Sequence, residues 1–572
     1  MFGGVASRIA RKSARSASFG AVRAADFPIR RWRMGGQYNS MPARAYGHSR
    51  APACTAGTAL LAALMACLPP GNTQAAELYE KAGISLRWDT TIRYSNAFRV
   101  EGADRALTAD PNSDDGDRNF QPGPVSNRLD VFSQAELDRG DFGLRLSGLG
   151  WFDSIYTERN DNNSPSTFNP VSVPHNAFTR ATRALHAEHI ELFDAYVHGS
   201  FEVGNTPVSF RLGRYTLTWG ESLFFAENGI AAGQSPADVL KQFGNPLAQT
   251  AEILLPVTQA AVTMLPRPDL SIEAYYQFEW RKNRLPGSGS FFSASDILDS
   301  GGERLFLDGG RYLLRTGDLR PPGSDQFGAA MRLTKAGYDL GIYALRFDAK
   351  SPEIYLRPDG SPGPGPVGFY QLVYPSGIEI YGASFSSYLA DSNIAGEISF
   401  RRNMPLVGAP AIVAPGEVAG IGADARYPVG NTLHAQISTV NAFPAGRFWD
   451  GAEFVAEIAS ATLLDIERNR SAFDFSRDDT AVSAAVSLSP EYFEVLPNLT
   501  ISLPLAVRYG LIGDSATSVG EFSGAGDFEF GAEAEFKSSW KAKLLFVHFM
   551  GSPMRQPLGD RDFVSMSIQR TF

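Results

Sequence analysis

Three groupings in the sequence have residue types suited to chemistry. His186-Ala-Glu-His189 brings two imidazoles and a carboxylate together, the ingredients of a zinc site. The pair leads into a strand-like run, Ile190 to Val197, where a separation of three sends the rings to opposite faces; a zinc helix needs a separation of four. Asp110-Pro-Asn-Ser-Asp-Asp-Gly-Asp117 alternates oxygen ligands as calcium loops do. Its glycine falls one place late and Gln121 stands where a bidentate Glu belongs, so a solvated acidic loop is expected. Beyond residue 75 lie six histidines (His175, His186, His189, His198, His434, His548), bases that a lipid hydrolase would need, but no nucleophile elbow accompanies them. No catalytic residue, metal site or cofactor is expected.

The elements that would position such groups are strands. Val564, Met566, Ile568 and Phe572 alternate with Ser565, Ser567, Gln569 and Thr571 at the end of the sequence, one greasy face and one wet face. Similar period-2 runs recur from Ile84 onward, as in Leu499, Ile501, Leu503, Leu505, Val507 and Tyr509, or Phe528, Phe530, Ala532 and Ala534 against Asp527, Glu529, Glu533 and Glu535. Such alternation fits a soluble sandwich as well as a membrane barrel. The choice falls to the barrel because of the length, the final Phe572 and the run Ala51 to Leu68, apolar, preceded by Arg44 and Arg50 and followed by Thr73-Gln-Ala75, which reads as a secretory signal too short to span a bilayer. Leu64-Met-Ala-Cys67 is a competing lipoprotein-like box, less favoured than cleavage near Ala75.

Composition agrees. Residues 1–75 carry ten Lys/Arg and one acid, so the formal charge of −9 for the whole chain becomes −18 for residues 76–572, which excludes a nucleic-acid binder. Both cysteines, Cys54 and Cys67, fall in the signal region, leaving no disulfide framework. No later run reaches 18 apolar residues, yet the chain holds 39 Phe and 20 Tyr, a load that aromatic girdles of a barrel would absorb. The expectation is all-β: residues 1–75 a signal region with a basic extension, and 76–572 one transmembrane antiparallel β-barrel of roughly 14 to 18 strands in the outer membrane of a Gram-negative bacterium. Long Gly-, Pro- and Asn-rich pieces (102–125, 159–183, 286–324, 352–375, 404–420) read as weakly constrained extracellular loops.

Within that barrel, residues 226–256 stand out as a helix-bearing loop folded into or over the lumen. Ser235 suits an N-cap, Pro236 the first helical position, and Asp238 the answering carboxylate. Upstream, Ser209, Arg211, Gly213, Tyr215, Leu217 and Trp219 share one face and Phe210, Leu212 and Arg214 the other; Arg211 is expected inward because Phe210 and Leu212 suit lipid. Glu221, Asp238 and Lys241 would then pair with lumen charges and make a constriction that sets selectivity, the alternative being ordinary solvated charges. Gly213 and Gly220 mark close backbone approach or a bend.

Phe210-Arg-Leu-Gly-Arg-Tyr-Thr-Leu-Thr-Trp-Gly-Glu-Ser-Leu-Phe224, Asn228-Gly-Ile230, Pro236-Ala-Asp-Val239 and Glu252-Ile-Leu-Leu-Pro-Val257 together resemble a domain-of-unknown-function family of proteobacterial outer-membrane proteins. Trp88 to Tyr94, Asp114 to Phe120 and Asn127 to Asp130 extend the likeness across residues 77–572. Gln234-Ser235 departs from the family's more usual Asn-Pro. The resemblance implies an outer-membrane barrel, often associated with exporters of the resistance-nodulation-division type and with hydrophobic substrates, and it brings no catalytic residues. The ending Val564, Met566, Ile568, Phe572 is similar to the assembly signal by which outer-membrane assembly machinery takes up such barrels, with Arg570 where an apolar residue is usual. The functional expectation is a channel for a small hydrophobic or amphipathic molecule. The runners-up are a non-conducting scaffold for an envelope export system and, third, a lipid hydrolase.

Overall fold

The computed structural model describes residues 76–572 apart from 82, 245, 246, 249 and 390. The expected signal region and Cys67 lie outside the described residues. The alternating segments pair with their sequence neighbours into one antiparallel sheet of 20 strands that closes on itself. Ala76–Lys81 only extends the seam beside the first stave, and Leu499–Ser502 with Leu505–Ile512 make one interrupted stave, which leaves 18 around the barrel. The interruption falls at Leu503-Pro504, where proline has no N–H to give the ladder and its carbonyl instead accepts the Gly531 N–H at 2.9 Å.

The staves are β1 (Ile84–Arg99), β2 (Gly123–Arg139), β3 (Phe142–Asp153), β4 (Glu188–Val203), β5 (Thr206–Tyr215) and β6 (Val257–Arg267). They continue as β7 (Leu270–Gln277), β8 (Gln326–Lys335), β9 (Tyr338–Phe347), β10 (Ile378–Leu389), β11 (Ser392–Pro405) and β12 (Val429–Phe443). The ring ends with β13 (Gly451–Arg468), β14 (Thr480–Leu496), the interrupted β15, β16 (Gly526–Phe536), β17 (Trp540–Met550) and β18 (Phe563–Thr571). Closure is a ladder between β18 and β1, from Thr91 opposite Thr571 to Arg99 opposite Phe563. Every edge is thereby paired, as hydrocarbon requires.

Side chains sort by parity. Leu212 (49% exposed), Ile398 (48%) and Met566 (54%) point out from the ring, while Arg401, Ser567 and Gln569 on the opposite parity are buried inside it. Exposed rings gather at the two rims: Phe142, Phe201, Tyr338, Tyr388, Phe443 and Phe536 near the short turns, and Phe152, Phe278, Phe327 and Tyr381 near the long loops. An apolar belt between aromatic girdles is the surface of a barrel seated in a bilayer. Short turns mark one end of the ring, with positive φ at Asp391 (68°), Asn498 (63°) and Lys537 (51°), as tight hairpins demand.

The long loops are not the weakly constrained segments expected. Arg304–Phe306, Arg311–Arg315, Glu353–Pro358, Gly365–Val373 and Ala411–Ile412 form a five-stranded sheet of their own over the long-loop end. Their β-branched and aromatic runs are long enough to pair, and Tyr355, Tyr370, Leu372 and Val373 are fully buried. Phe120, Tyr156, Phe178, Phe291 and Phe292 pack against Phe563 of β18 in a second core. Beside it Arg561 pairs with Asp117 at 2.8 Å, and Arg99 pairs with Asp117 and Asp560 at 3.3 and 3.2 Å. The acidic run is likewise not solvated: Asp114, Asp115 and Asp117 are buried because loops from three parts of the chain close over them.

A one-residue contrast on β14 tests the parity. Val486 faces out and Ser487 in, so Val486→Arg should cost about 2–4 kcal/mol of folding stability in lipid and Ser487→Arg under about 1 kcal/mol. Urea titrations of folding into vesicles measure both; equal costs would contradict the assignment of faces.

Candidate constriction site

Strand β5 delivers the chain into the barrel, and the described residues of 216–256 remain there before β6 begins. Gly213 sits at φ 132°, with an added Cβ only 2.3 Å from the Ala195 carbonyl oxygen, so close packing on β4 needs glycine. The first arm, residues 217–235, doubles back on itself. The Ser235 hydroxyl accepts the Leu217 N–H at 3.1 Å and donates to the Leu217 carbonyl at 3.0 Å. It lies on an apolar patch of inner wall: Leu217, Trp219 and Ile230 pack with Tyr275 of β7, Tyr343, Leu345 and Phe347 of β9, and Ile378 and Ile380 of β10. Trp219 meets Tyr275 edge-on at 5.0 Å and its Nε1 donates to Glu273 at 2.8 Å.

The tip of this arm, residues 220–230, reaches the far wall. Glu397 of β11 accepts the backbone N–H groups of Glu221 (2.6 Å) and Ile230 (2.8 Å). Glu457 of β13 accepts those of Leu223 (3.1 Å), Phe224 and Phe225 (3.0 Å). Arg401 closes the other polarity, donating to the carbonyls of Asn228 (2.7 Å) and Gly229 (3.0 Å), and His434 Nδ1 lies 2.8 Å from Asn228 Oδ1. Stave β13 stands eight places from β5 in a ring of 18, so the arm runs along the inner wall from β7 to β13 and its tip stands across the lumen from the strand it left. Gly220, at φ 92°, would carry a Cβ 2.2 Å from Glu397 Oε2, so the carboxylate's approach to the backbone excludes a side chain there.

The second arm returns to the wall near β1–β4. A short helix, Val239–Gly244, places Leu240 with Leu255 on Phe132, Leu149, Trp151 and Phe193. This helix starts three residues later than expected. Ser235 is occupied by Leu217, and Asp238 serves as the cap instead, Oδ1 accepting the Lys241 N–H at 3.0 Å. Ion pairs fix the arm: Arg93 to Glu252 at 2.7 Å, Lys241 to Glu252 at 3.2 Å, and Arg284 to Asp238 at 2.6 Å. Arg284 also pairs with Glu191, as do Arg281 and Arg214.

Each expected site residue therefore has a place. Arg211 stacks over Tyr215 inside the ring (5.1 Å), and Arg214 ties the end of β5 to Glu191 (3.3 Å) and Glu279 (3.8 Å). Trp219, Glu221, Asp238 and Lys241 all lie on the crossing loop. What anchors the loop is nevertheless mostly wall residues absent from the expectation: Arg93, Glu397, Arg401, His434 and Glu457. In sequence they read as ordinary inward polar positions. The histidine pair is separated. His186 ends a helix, Arg180–His186, not a strand; its Nε2 accepts the Gly287 N–H at 3.0 Å and its ring stacks on Tyr156 at 4.4 Å. His189 stacks on Trp151 at 4.4 Å.

Removing Glu457 by Glu457→Ala strands three backbone donors, each costing about 1–3 kcal/mol if left buried and unpaired. Hydrogen exchange at Leu223–Phe225 should accelerate about 30-fold or more, corresponding to about 2 kcal/mol, while the barrel ladder stays protected. Unchanged exchange at the tip would show that Glu457 does not hold it.

Comparison with known proteins adds the following. The crystal structure of Acinetobacter baumannii OccAB1 aligns at 12% identity and a TM-score of 0.42, covering 87% of this chain and 99% of that one. Pseudomonas aeruginosa OccD3 (OpdP) aligns at 10% and 0.40, covering 89% and 96%. P. aeruginosa OccK2 (OpdF) in complex with glucuronate aligns at 11% and 0.40, covering 85% and 98%. None of the curated proteins matches the sequence. A family model described as "Protein of unknown function (DUF1302)" matches residues 56–572. With its closed ring, lipid-facing belt and girdled rims, the chain is an outer-membrane β-barrel, and it belongs to the DUF1302 family.

Proposed function

We propose that the protein is an outer-membrane channel for a small amphipathic molecule, with residues 216–256 as its constriction. The observation that carries this reading is an inserted loop tethered to the far wall by Glu397 and Glu457, which narrows the lumen while leaving β14–β17 clear of it, only Leu545, Val547 and Phe549 of β17 being covered, by Phe291 and Phe292. Those staves hold a charged ladder on their inner face, Arg508 with Asp527 at 3.1 Å and Lys541 with Glu535 at 3.3 Å. Acids outnumber bases along it: Glu491, Asp527, Glu529, Glu533 and Glu535 against Arg508, Lys541 and Lys543. Leu223, Phe224 and Phe225 keep part of their surface exposed on the loop. An acidic wall beside an apolar tip suits a solute with both characters, cationic or neutral before anionic. Cavities occur on both sides, about 650 Å³ at the long-loop end beside Lys282, Asp299 and Arg315, and about 230 Å³ at the short-turn end beside Glu221, Arg332 and Tyr343.

Purified protein in planar bilayers should conduct, with a reversal potential in a KCl gradient on the cation-selective side, and Glu533→Lys with Glu535→Lys should shift it toward zero. Anion selectivity would overturn the substrate polarity. The five-stranded sheet over the mouth favours one other reading, a closed scaffold serving a resistance-nodulation-division exporter; absence of any conductance, both in the wild type and in Glu457→Ala, would select it.

A further inference from the structure

Where the loops close over the mouth, three carboxylates from distant parts of the chain meet without cations to match them. Asp114 and Asp115 come from the β1–β2 loop and Asp296 from the β7–β8 loop, and all three offer oxygens within 4.8 Å of one another. None has more than 1% of its surface exposed. The Asp115 N–H donates to Asp296 Oδ2 at 2.9 Å, so the two loops are drawn together at this point. Arg118 pairs with Asp114 through Oδ2, whereas Arg99 and Arg561 are taken up by Asp117 and Asp560. Asp296 Oδ1 receives no hydrogen bond, and Asp114 Oδ1 has only the nearby Thr167 hydroxyl, outside good hydrogen-bond geometry.

A neutral residue repeats the pattern. Asn169, from the β3–β4 loop, has no exposed surface and gives its N–H to Asp115 Oδ2 at 3.1 Å, yet its own Oδ1 is also without a donor. Asn162 Nδ2 supports Asp115 Oδ1 at 3.1 Å. Buried oxygens are ordinarily satisfied, and each exception calls for an explanation such as an ion. Two of them belong to one cluster of like charge, and the third is on the residue whose backbone N–H that cluster holds.

We infer that Asp114, Asp115 and Asp296, with Asn169 Oδ1 at the edge, bind a calcium-sized divalent cation that staples three extracellular loops together. The donor set is oxygen alone, with neither His nor Cys, which suits a hard cation rather than zinc. Carboxylates at the junction of flexible loops suit calcium better than magnesium, which demands a small octahedral cage and keeps its waters. Calcium sites outside the cell work at dissociation constants of about 0.1–1 mM. The ligands are not the alternating positions of the sequence pattern: Asp110 is spent on a local turn, accepting the Asn112 N–H at 2.9 Å.

The test is thermal unfolding of the detergent-solubilised full chain after EDTA treatment, with added CaCl₂ or MgCl₂, alongside equilibrium dialysis with calcium. Wild type should bind one calcium per chain and melt several degrees higher with calcium, and magnesium should do less. Asp296→Asn removes a repelling charge, so its melting point in EDTA should equal or exceed that of wild type while the calcium shift disappears. Asn169→Ala should weaken calcium binding without abolishing folding. No calcium shift in wild type, an equal shift with magnesium, or a calcium shift retained in Asp296→Asn would overturn the inference.

Discussion

A peptide segment cannot lie inside a barrel unless something answers its N–H groups, and here two wall carboxylates do so. Glu397 and Glu457 accept five backbone donors of the loop tip between them. Charge-assisted bonds of this kind are roughly twice as strong as neutral ones, and the donors in turn offset the cost of burying each carboxylate. Arg401 does the converse at the next turn of chain, giving its guanidinium to two carbonyls. Because a run of donors at Glu221–Phe225 and a pair of acceptors at Asn228 and Gly229 each meet wall groups of the matching polarity, the loop is fixed in register as well as in place.

The arms are held differently. Both rest on apolar patches of the inner wall, near Tyr275, Tyr343 and Ile380 on one side and Phe132, Leu149 and Phe193 on the other. Such contacts are worth about 1.5–3 kcal/mol per buried large side chain but have no direction. Direction comes from ion pairs at the second arm, where Glu252 answers both Arg93 and Lys241. Breaking one partner of such a set leaves an uncompensated buried charge, so these pairs specify position more than they add stability.

The strands, their faces and the existence of an inserted segment were legible in the sequence because period-2 alternation is imposed locally by the pleat and the bilayer. Ile398 against Ser399, and Met566 against Ser567, carry their own assignment. The anchors were not legible. Glu397 and Glu457 look like any inward acid, and their importance arises only when residues far along the chain arrive opposite them. The helix start failed for the same reason: Ser235 is a good cap in isolation, but tertiary pairing with Leu217 took its hydroxyl and moved the cap to Asp238. The mouth failed because loop composition, rich in Gly and Pro, reports local freedom and not the aromatic packing of Phe120, Phe178 and Phe291 contributed from three loops.

One further asymmetry follows from ring size. Eighteen staves enclose more space than side chains can fill, so the chain itself must supply whatever narrows the lumen. Where filler lies on the wall, the inward positions have become apolar, as at Phe347, Ile378 and Ile380, or at Leu545, Val547 and Phe549 of β17 beneath Phe291 and Phe292; where none lies, on the rest of β14 to β17, Ser, Glu, Lys and Arg remain. The inner face is thus a record of which part of the wall is covered and which part meets water. A barrel filled on all sides would have no reason to keep a charged ladder on one quarter of its circumference.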